Sequence, residues 1–167
     1  PQGRISHYVG IFSDITHQEH VKARLHELAY YDPLTKLPNR QLYRDRLNNN
    51  IHRAHRDKTQ LALLFLDVDR FKNINDSLGH NAGDELIKFV ARVLSQCVRE
   101  SDTVARLGGD EFTLVLTEIQ TTADAVKVSE KILHHFRNKP FIIEGRELFI
   151  TVSIGISLYP KDADNTD

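Results

Sequence analysis

A single cysteine in 167 residues leaves no internal disulfide framework. That residue, Cys97, follows Phe89, Val90, Val93 and Leu94 in an apolar helical pattern, so it reads as a small buried hydrophobe rather than a reactive thiol. A reducing, cytoplasmic setting is the simpler expectation. No apolar run approaches the roughly 18 residues of a membrane span, and no signal peptide opens the chain, so this segment is expected to make no direct membrane contact. The formal net charge of -1 supplies no field that would draw nucleic acid or an anionic bilayer. There is no Walker-type G-x-x-x-x-G-K loop, no H-E-x-x-H zinc motif and no nucleophile elbow. Internal repeats and low-complexity tracts are missing as well. Any phosphate chemistry must be built from local groups.

What is present suits one soluble domain with a core, at 40% hydrophobic and 27% charged residues. Residues Tyr8 to Ile15 read as an apolar strand without a nearby partner. From Thr16, Val21, Leu25 and Leu28 make a narrow helical stripe, better suited to pairing with another helix than to filling a core. Asp32-Pro33 ends it, because the residue before proline avoids helical geometry. A second helix is expected after Asn39 as cap, with Leu42, Leu47 and Ile51 facing inward. Leu61 to Leu66 is apolar at every position, which predicts a central strand buried on both faces. A helix follows from about Asn81 to Arg99. Thr103 to Leu107 and Phe112 to Leu116 read as strands joined by a tight glycine hairpin. Residues 122 to 137 have helical period, and Phe141 to Ile143 with Leu148 to Leu158 read as a last β ribbon. The fold class expected is α+β, a mostly antiparallel sheet with helices on both faces.

Two features carry chemistry. Asp67 and Asp69 stand where a buried strand leaves the core, the first place that water or an ion can solvate a charge. Gly108-Gly109-Asp110-Glu111 forms a hairpin tip whose glycines allow close backbone approach and whose carboxylates point outward. If the two neighbour each other, Asp67 and Asp110 face across a few ångströms and repel unless a cation intervenes. Oxygen-only ligands open to solvent suit magnesium and two-metal phosphoryl transfer. The bland reading makes Asp67 and Asp69 helix caps and the glycine tip a mere turn; their joint occurrence favours a site. His17, His20, His134 and His135 read as exposed polar residues.

At this point the residues resemble a known family. Arg106-Leu107-Gly108-Gly109-Asp110-Glu111-Phe112 matches the signature of GGDEF domains. Asp32-Pro33-Leu34-Thr35-Lys36-Leu37-Pro38-Asn39-Arg40 is similar to their opening motif. Asp67 through Asp76, then Gly79-His80-Asn81-Ala82-Gly83-Asp84, resemble the block between. Four motifs in order over roughly residues 32 to 160 make the resemblance specific.

The resemblance implies a fold like that of nucleotide cyclases and polymerase palms, with a ferredoxin-like core. It implies a diguanylate cyclase, condensing two GTP into cyclic di-GMP across a homodimer with two Mg2+ (or Mn2+) ions per active site. Asp67, the Val68 carbonyl, Asp110 and Glu111 would hold the metals, with Asp110 and Glu111 as the catalytic carboxylates. Asn75 and Asp84 would read guanine and reject adenine. Lys72, with the backbone around Arg70 and Phe71, would hold terminal phosphates at a helix start, and Gly108 and Gly109 would admit the substrate. His80 would line the base pocket. Arg99 and Asp102, an R-x-x-D five residues before the signature, would form a site for inhibitory product. By the same resemblance, residues 1–16 look like the end of a PAS-like sensor, 17–31 like a helical linker, and 32–167 like a GGDEF domain lacking a usual last helix. Lys36 stands where the family mostly has glycine. The alternative is a catalytically weak module of this fold that binds GTP or cyclic di-GMP and controls an attached phosphodiesterase domain. A cyclase making cyclic mononucleotides would not need Arg99 and Asp102.

Overall fold

The computed structural model describes residues 14–163, and its centre is the apolar run at 61–66. That run lies in β1 (Gln60–Val68), which pairs antiparallel with β3 (Glu111–Ile119) on one side and β6 (Val152–Tyr159) on the other. β3 also pairs antiparallel with β2 (Thr103–Gly108), giving the order β2-β3-β1-β6. Side chains alternate across a sheet, so Ala62, Leu64, Leu66 and Val68 enter one face and Leu61, Leu63, Phe65 and Asp67 the other.

Helices α4 (His80–Cys97) and α5 (Thr122–Asn138) cover the first face. Leu86, Ile87, Val90, Leu94 and Ile132 are fully buried there against Leu64 and Leu114. Each such side chain contributes about 1.5–3 kcal/mol relative to exposure. Cys97 belongs to this core, and burial pushes its thiol up, in keeping with a structural role. α5 begins with a capping box between Thr121 and Asp124, which satisfies two otherwise orphaned amides.

The second face is covered by α2 (Arg40–Asp57), capped by Asn39, whose side chain accepts from the Leu42 amide at 3.1 Å. Its inward residues are Tyr43, Leu47, Ile51 and Ala54, packed on Leu61, Ala105, Val115 and Tyr159. Tyr43 takes the place expected for Leu42, which is only half-buried. The expectation that β1 is buried on both faces holds only for its start. Leu63 is half-buried and Phe65 is 48% exposed, because an open cleft separates Phe65 from Arg40, Tyr43 and Leu47 of α2.

The last ribbon also divides. β4 (Phe141–Ile143) and β5 (Arg146–Leu148) make a two-stranded sheet of their own, and after an irregular stretch the chain enters the main sheet as β6. A short helix, α3 (Phe71–Leu78), precedes α4. The connector forms α1 (Thr16–Tyr30), which buries no residue and leaves Val21, Leu25 and Leu28 exposed. It ends in extended backbone at Tyr31, one residue before Asp32-Pro33. Of the strand expected over Tyr8 to Ile15, residues 8–13 lie outside the described residues, and Asp14 and Ile15 are not in a strand. No helix among the described residues is long and apolar enough to cross a membrane.

Candidate active site at the ends of the central strands

Asp67 sits near the end of β1 on the face left open beyond α2. Its cross-strand partners are Glu111 on β3 and Ser153 on β6. The residue directly opposite Asp67 is therefore Glu111, with Asp110 next to it at the hairpin tip; the sequence had suggested Asp110 itself. Like charges placed opposite one another destabilise a sheet. Partial burial raises the Asp67 carboxyl above its ordinary range, and the charges of Asp110, Asp69 and Glu111 push it further. Among the described residues none of Asp67, Asp110 and Glu111 has a Lys or Arg ion-pair partner.

Asp69 behaves differently. The Ser153 hydroxyl donates to its Oδ1 at 2.7 Å, and its own amide donates to the Thr151 carbonyl at 3.1 Å. Hydrogen bonds from Thr151 and Ser153 hold its carboxyl below the usual range. One acid at the strand end is thus tied down and the other is left facing two more. Among the described residues no three His, Cys, Asp or Glu side chains converge into a ready-made ion cage. The cluster is open, oxygen-only and uncompensated. That donor set fits a hard divalent cation, which keeps several waters and is shared with substrate phosphates. The Val68 side chain, fully buried, carries no donor atom, so only its backbone carbonyl could serve such an ion.

The hairpin tip needs its glycines. Gly109 has φ +53° and Gly108 φ +148°, both in territory that side chains avoid, and the β2–β3 register shifts between Arg106 and Gly108. Arg106 grips this tip from behind. Its Nε and Nη2 donate to the Gly109 carbonyl at 3.0 and 2.7 Å, and its Nη1 donates to both carboxylate oxygens of Asp32 at 3.1 Å. The two side chains are only 12% and 15% exposed. Burial alone would raise the Asp32 carboxyl, but hydrogen bonds from Thr35 and the charge of Arg106 outweigh it and leave it below the ordinary range. Along the sequence Asp32 stands out only as the residue that ends the connector helix before proline, and Arg106 only as part of the signature. The available signal was an arginine kept within a strand just before the turn.

The residues expected to read guanine lie on the α3–α4 hairpin. Asn75, on α3, is half-buried and packs on Gly83 of α4: a Cβ there would fall onto the Asn75 amide oxygen and against the Phe71 ring. Gly83 is therefore a spacing residue that sequence reading left without a role. Asp84, next along α4, is exposed rather than buried, as is His80 at the start of that helix. Lys72 is exposed in the first turn of α3, whose first amides have no intrahelical acceptor, and Arg70 precedes it in a left-handed conformation. Two grooves flank Asp67. One, of about 550 Å³, runs past Arg40, Phe65, Leu107, Glu111 and Ser153; the other, of about 950 Å³, runs past Asp69, Arg70, Asn73 and Phe149. Asn75 and Asp84 line neither.

Arg99 and Asp102 do meet, in a separate groove of about 600 Å³ shared with Gln120, Lys127 and Lys131. Asp102 is also structural: it accepts from the Arg99 amide at 3.1 Å and the Thr117 amide at 3.0 Å.

An all-antiparallel four-stranded sheet, helices on both faces and carboxylates at the central strand ends define the palm-like fold of nucleotide cyclases. The chain belongs to the GGDEF family: the family described as diguanylate cyclase, GGDEF domain, matches residues 29–167. It is similar to the diguanylate cyclase TpbB of Pseudomonas aeruginosa, 42% identical over 142 residues that make up 85% of this chain and 33% of that protein. It is also similar to MucR of the same organism, a bifunctional diguanylate cyclase and cyclic di-GMP phosphodiesterase, at 48% identity over 81% of this chain and 20% of that one. Among solved structures, the GGDEF domain of TpbB superposes with a TM-score of 0.76 at 43% identity, covering 78% of this chain and 81% of that one. The coiled coil and GGDEF domain of DgcB from Caulobacter crescentus, in complex with c-di-GMP, superposes at 0.80 with 26% identity, covering 90% and 81%. The chain spans about a fifth to a third of the length of the curated relatives it matches.

Proposed function

We propose that this domain is a diguanylate cyclase, joining two GTP into cyclic di-GMP with release of two pyrophosphates. The observation that carries the reading is the uncompensated meeting of Asp67, Asp110 and Glu111 within a GGDEF fold. In each half-reaction a ribose 3′-oxygen attacks the α-phosphorus of the other nucleotide, the bond to pyrophosphate breaks, and the hydroxyl proton leaves to water or a carboxylate. Divalent metal, two Mg2+ or Mn2+ ions per site, would be held by Asp67, the Val68 carbonyl, Asp110 and Glu111; when bound it supplies charge neutralisation and activation of the hydroxyl. Asp110 would serve as ligand ahead of general base, since a coordinated carboxylate is a poor proton acceptor. Asn75 and Asp84 pair with the guanine edge, while Lys72 and the amides at the start of α3 hold the terminal phosphates. Gly108 and Gly109 leave room for close backbone approach. His80 borders the base.

One domain holds one GTP, so two copies must meet face to face, and the exposed Val21, Leu25 and Leu28 stripe of α1 suits a parallel helix pair. Arg99 and Asp102 form the inhibitory product site, aided by the neighbouring lysines of their groove. Residues 1–16 end a PAS-like sensor, 17–31 link it, and 32–167 catalyse, in a cytoplasmic setting. The test is to incubate the full-length protein with GTP and magnesium at concentrations that permit dimers. Cyclic di-GMP with two pyrophosphates is the expected outcome, and absence of both overturns the proposal.

A second reading rests on the openness of the acidic cluster and on similarity, at 38% identity, to the cyclic di-GMP phosphodiesterase NbdA. Here the domain binds GTP or cyclic di-GMP and controls a fused phosphodiesterase. Asp110→Ala separates the two: it abolishes synthesis in a cyclase and leaves partner control intact in a purely regulatory module.

A further inference from the structure

We infer that Arg106 is a positioning residue that aims Asp110 by holding the Gly109 carbonyl, and that Asp32 anchors it to the end of the connector helix. The inference rests on the cyclase reading of the same site.

The hairpin tip is built from two consecutive glycines at positive φ, which leaves its backbone many alternatives of similar energy. A carboxylate on such a tip has no fixed direction unless something outside the turn restrains it. Arg106 provides that restraint at one defined atom. Two of its donors converge on the Gly109 carbonyl, which belongs to the peptide leading into Asp110, and this sets the plane of that peptide. The third nitrogen is occupied by Asp32, so the guanidinium cannot swing away without leaving a largely buried carboxylate unpaired.

Asp32 is itself held. Its Oδ2 accepts from the amide and hydroxyl of Thr35, both at 2.7 Å. Its amide donates to the Leu37 carbonyl at 2.8 Å. The same loop is stitched to both ends of the system: the Asn39 amide donates to Tyr30, the last residue of α1, at 2.9 Å, and the Arg106 amide donates to Pro38 at 3.0 Å. A continuous set of bonds thus runs from the connector helix through Asp32 and Arg106 to the residue before Asp110. Lysine cannot replace arginine here, because one ammonium cannot satisfy a carboxylate and a carbonyl in a fixed fork.

The experiment compares wild type, Arg106→Lys and Asp32→Asn in the full-length protein. It reads kcat and KM for GTP, the thermal midpoint, and Mn2+ affinity by electron paramagnetic resonance. A tip misplaced by about an ångström predicts a kcat about a hundredfold lower in Arg106→Lys, with KM within about threefold. Mn2+ binding weakens severalfold and the midpoint stays within a few degrees of wild type. A kcat within about threefold of wild type in folded Arg106→Lys overturns the inference. So does a loss of activity that only tracks the fraction unfolded. Should Arg106→Lys fail to fold, Asp32→Asn decides by the same thresholds, since it keeps the shape and an acceptor for Thr35. A wild type that makes no product removes the cyclase reading instead, and Mn2+ affinity alone then decides the clamp.

Discussion

The acidic residues at two places in this domain meet opposite fates. At the strand ends, Asp67, Asp110 and Glu111 lie together without a cationic partner among the described residues, and desolvation, then the neighbouring acidic charges, push the Asp67 carboxyl upward. In the groove by α5, Asp102 is bonded to two backbone amides and closes a turn. Carboxylates that repel one another are maintained at a cost to stability, which points to a ligand that relieves it. A carboxylate already bonded to backbone holds the fold whether or not a ligand comes.

The largest effect follows from breaking the first cluster. Asp110→Asn or Asp67→Asn should lower cyclic di-GMP synthesis on the order of a thousandfold. The same variants should gain a few degrees in thermal midpoint without metal, because they remove repulsion. Loss of both activity and stability would make the cluster structural and erase the contrast.

The second region should respond the other way. Asp102→Ala loses two backbone hydrogen bonds and should cost about 1 kcal/mol of stability, read by denaturant unfolding. Arg99→Ala should leave stability nearly unchanged, and both should relieve inhibition by added cyclic di-GMP in a turnover assay. Equal stability of the two variants would show that Asp102 is not the structural half of that pair.

Acid titration sharpens the comparison further. Asp32 has a folded-state pKa below its unfolded value, so its contribution is complete above the unfolded pKa of about 3.9 and is lost as pH falls through the lower folded value. Asp67, shifted upward, opposes stability above its folded pKa, and protonation relieves it. Thermal midpoints from pH 5 to pH 2.5 should therefore fall less steeply for Asp32→Asn than for wild type, and more steeply for Asp67→Asn.

The smallest effect concerns Lys36, which holds a left-handed φ of +62° where glycine would be at ease. Lys36→Gly should leave the midpoint within about a degree of wild type, because relieved strain of about 1–2 kcal/mol is offset by the extra unfolded-state entropy of glycine and the loss of an exposed ion pair. The pair in question, Lys36 with Glu27 at 2.6 Å, ties this loop to α1.

Much of this arrangement is legible along the chain. Asn39 as cap, the break at Asp32-Pro33, the glycine hairpin and the helices at 80–97 and 122–138 each depend on neighbours within a few residues. What is not legible is where one element has to meet another. Leu42 and Tyr43 are both apolar enough to face inward, and only the rotation of α2 on the sheet selects Tyr43. Phe65 belongs to a run that looks buried on both faces, yet a cleft under the first turns of α2 leaves it exposed. Leu148 and Val152 read as one strand, but the stretch between them turns the chain from a small sheet into the main one.

By itself, the order of residues determined the family resemblance, the α+β class and the identity of the acidic groups, because motif spacing and local periodicity are properties of neighbours. Strand register put Glu111 rather than Asp110 opposite Asp67, tied Asp69 to Ser153, and joined Arg106 to Asp32 across 74 positions. Such pairings are chosen by packing among distant segments, and only the assembled sheet supplies that choice.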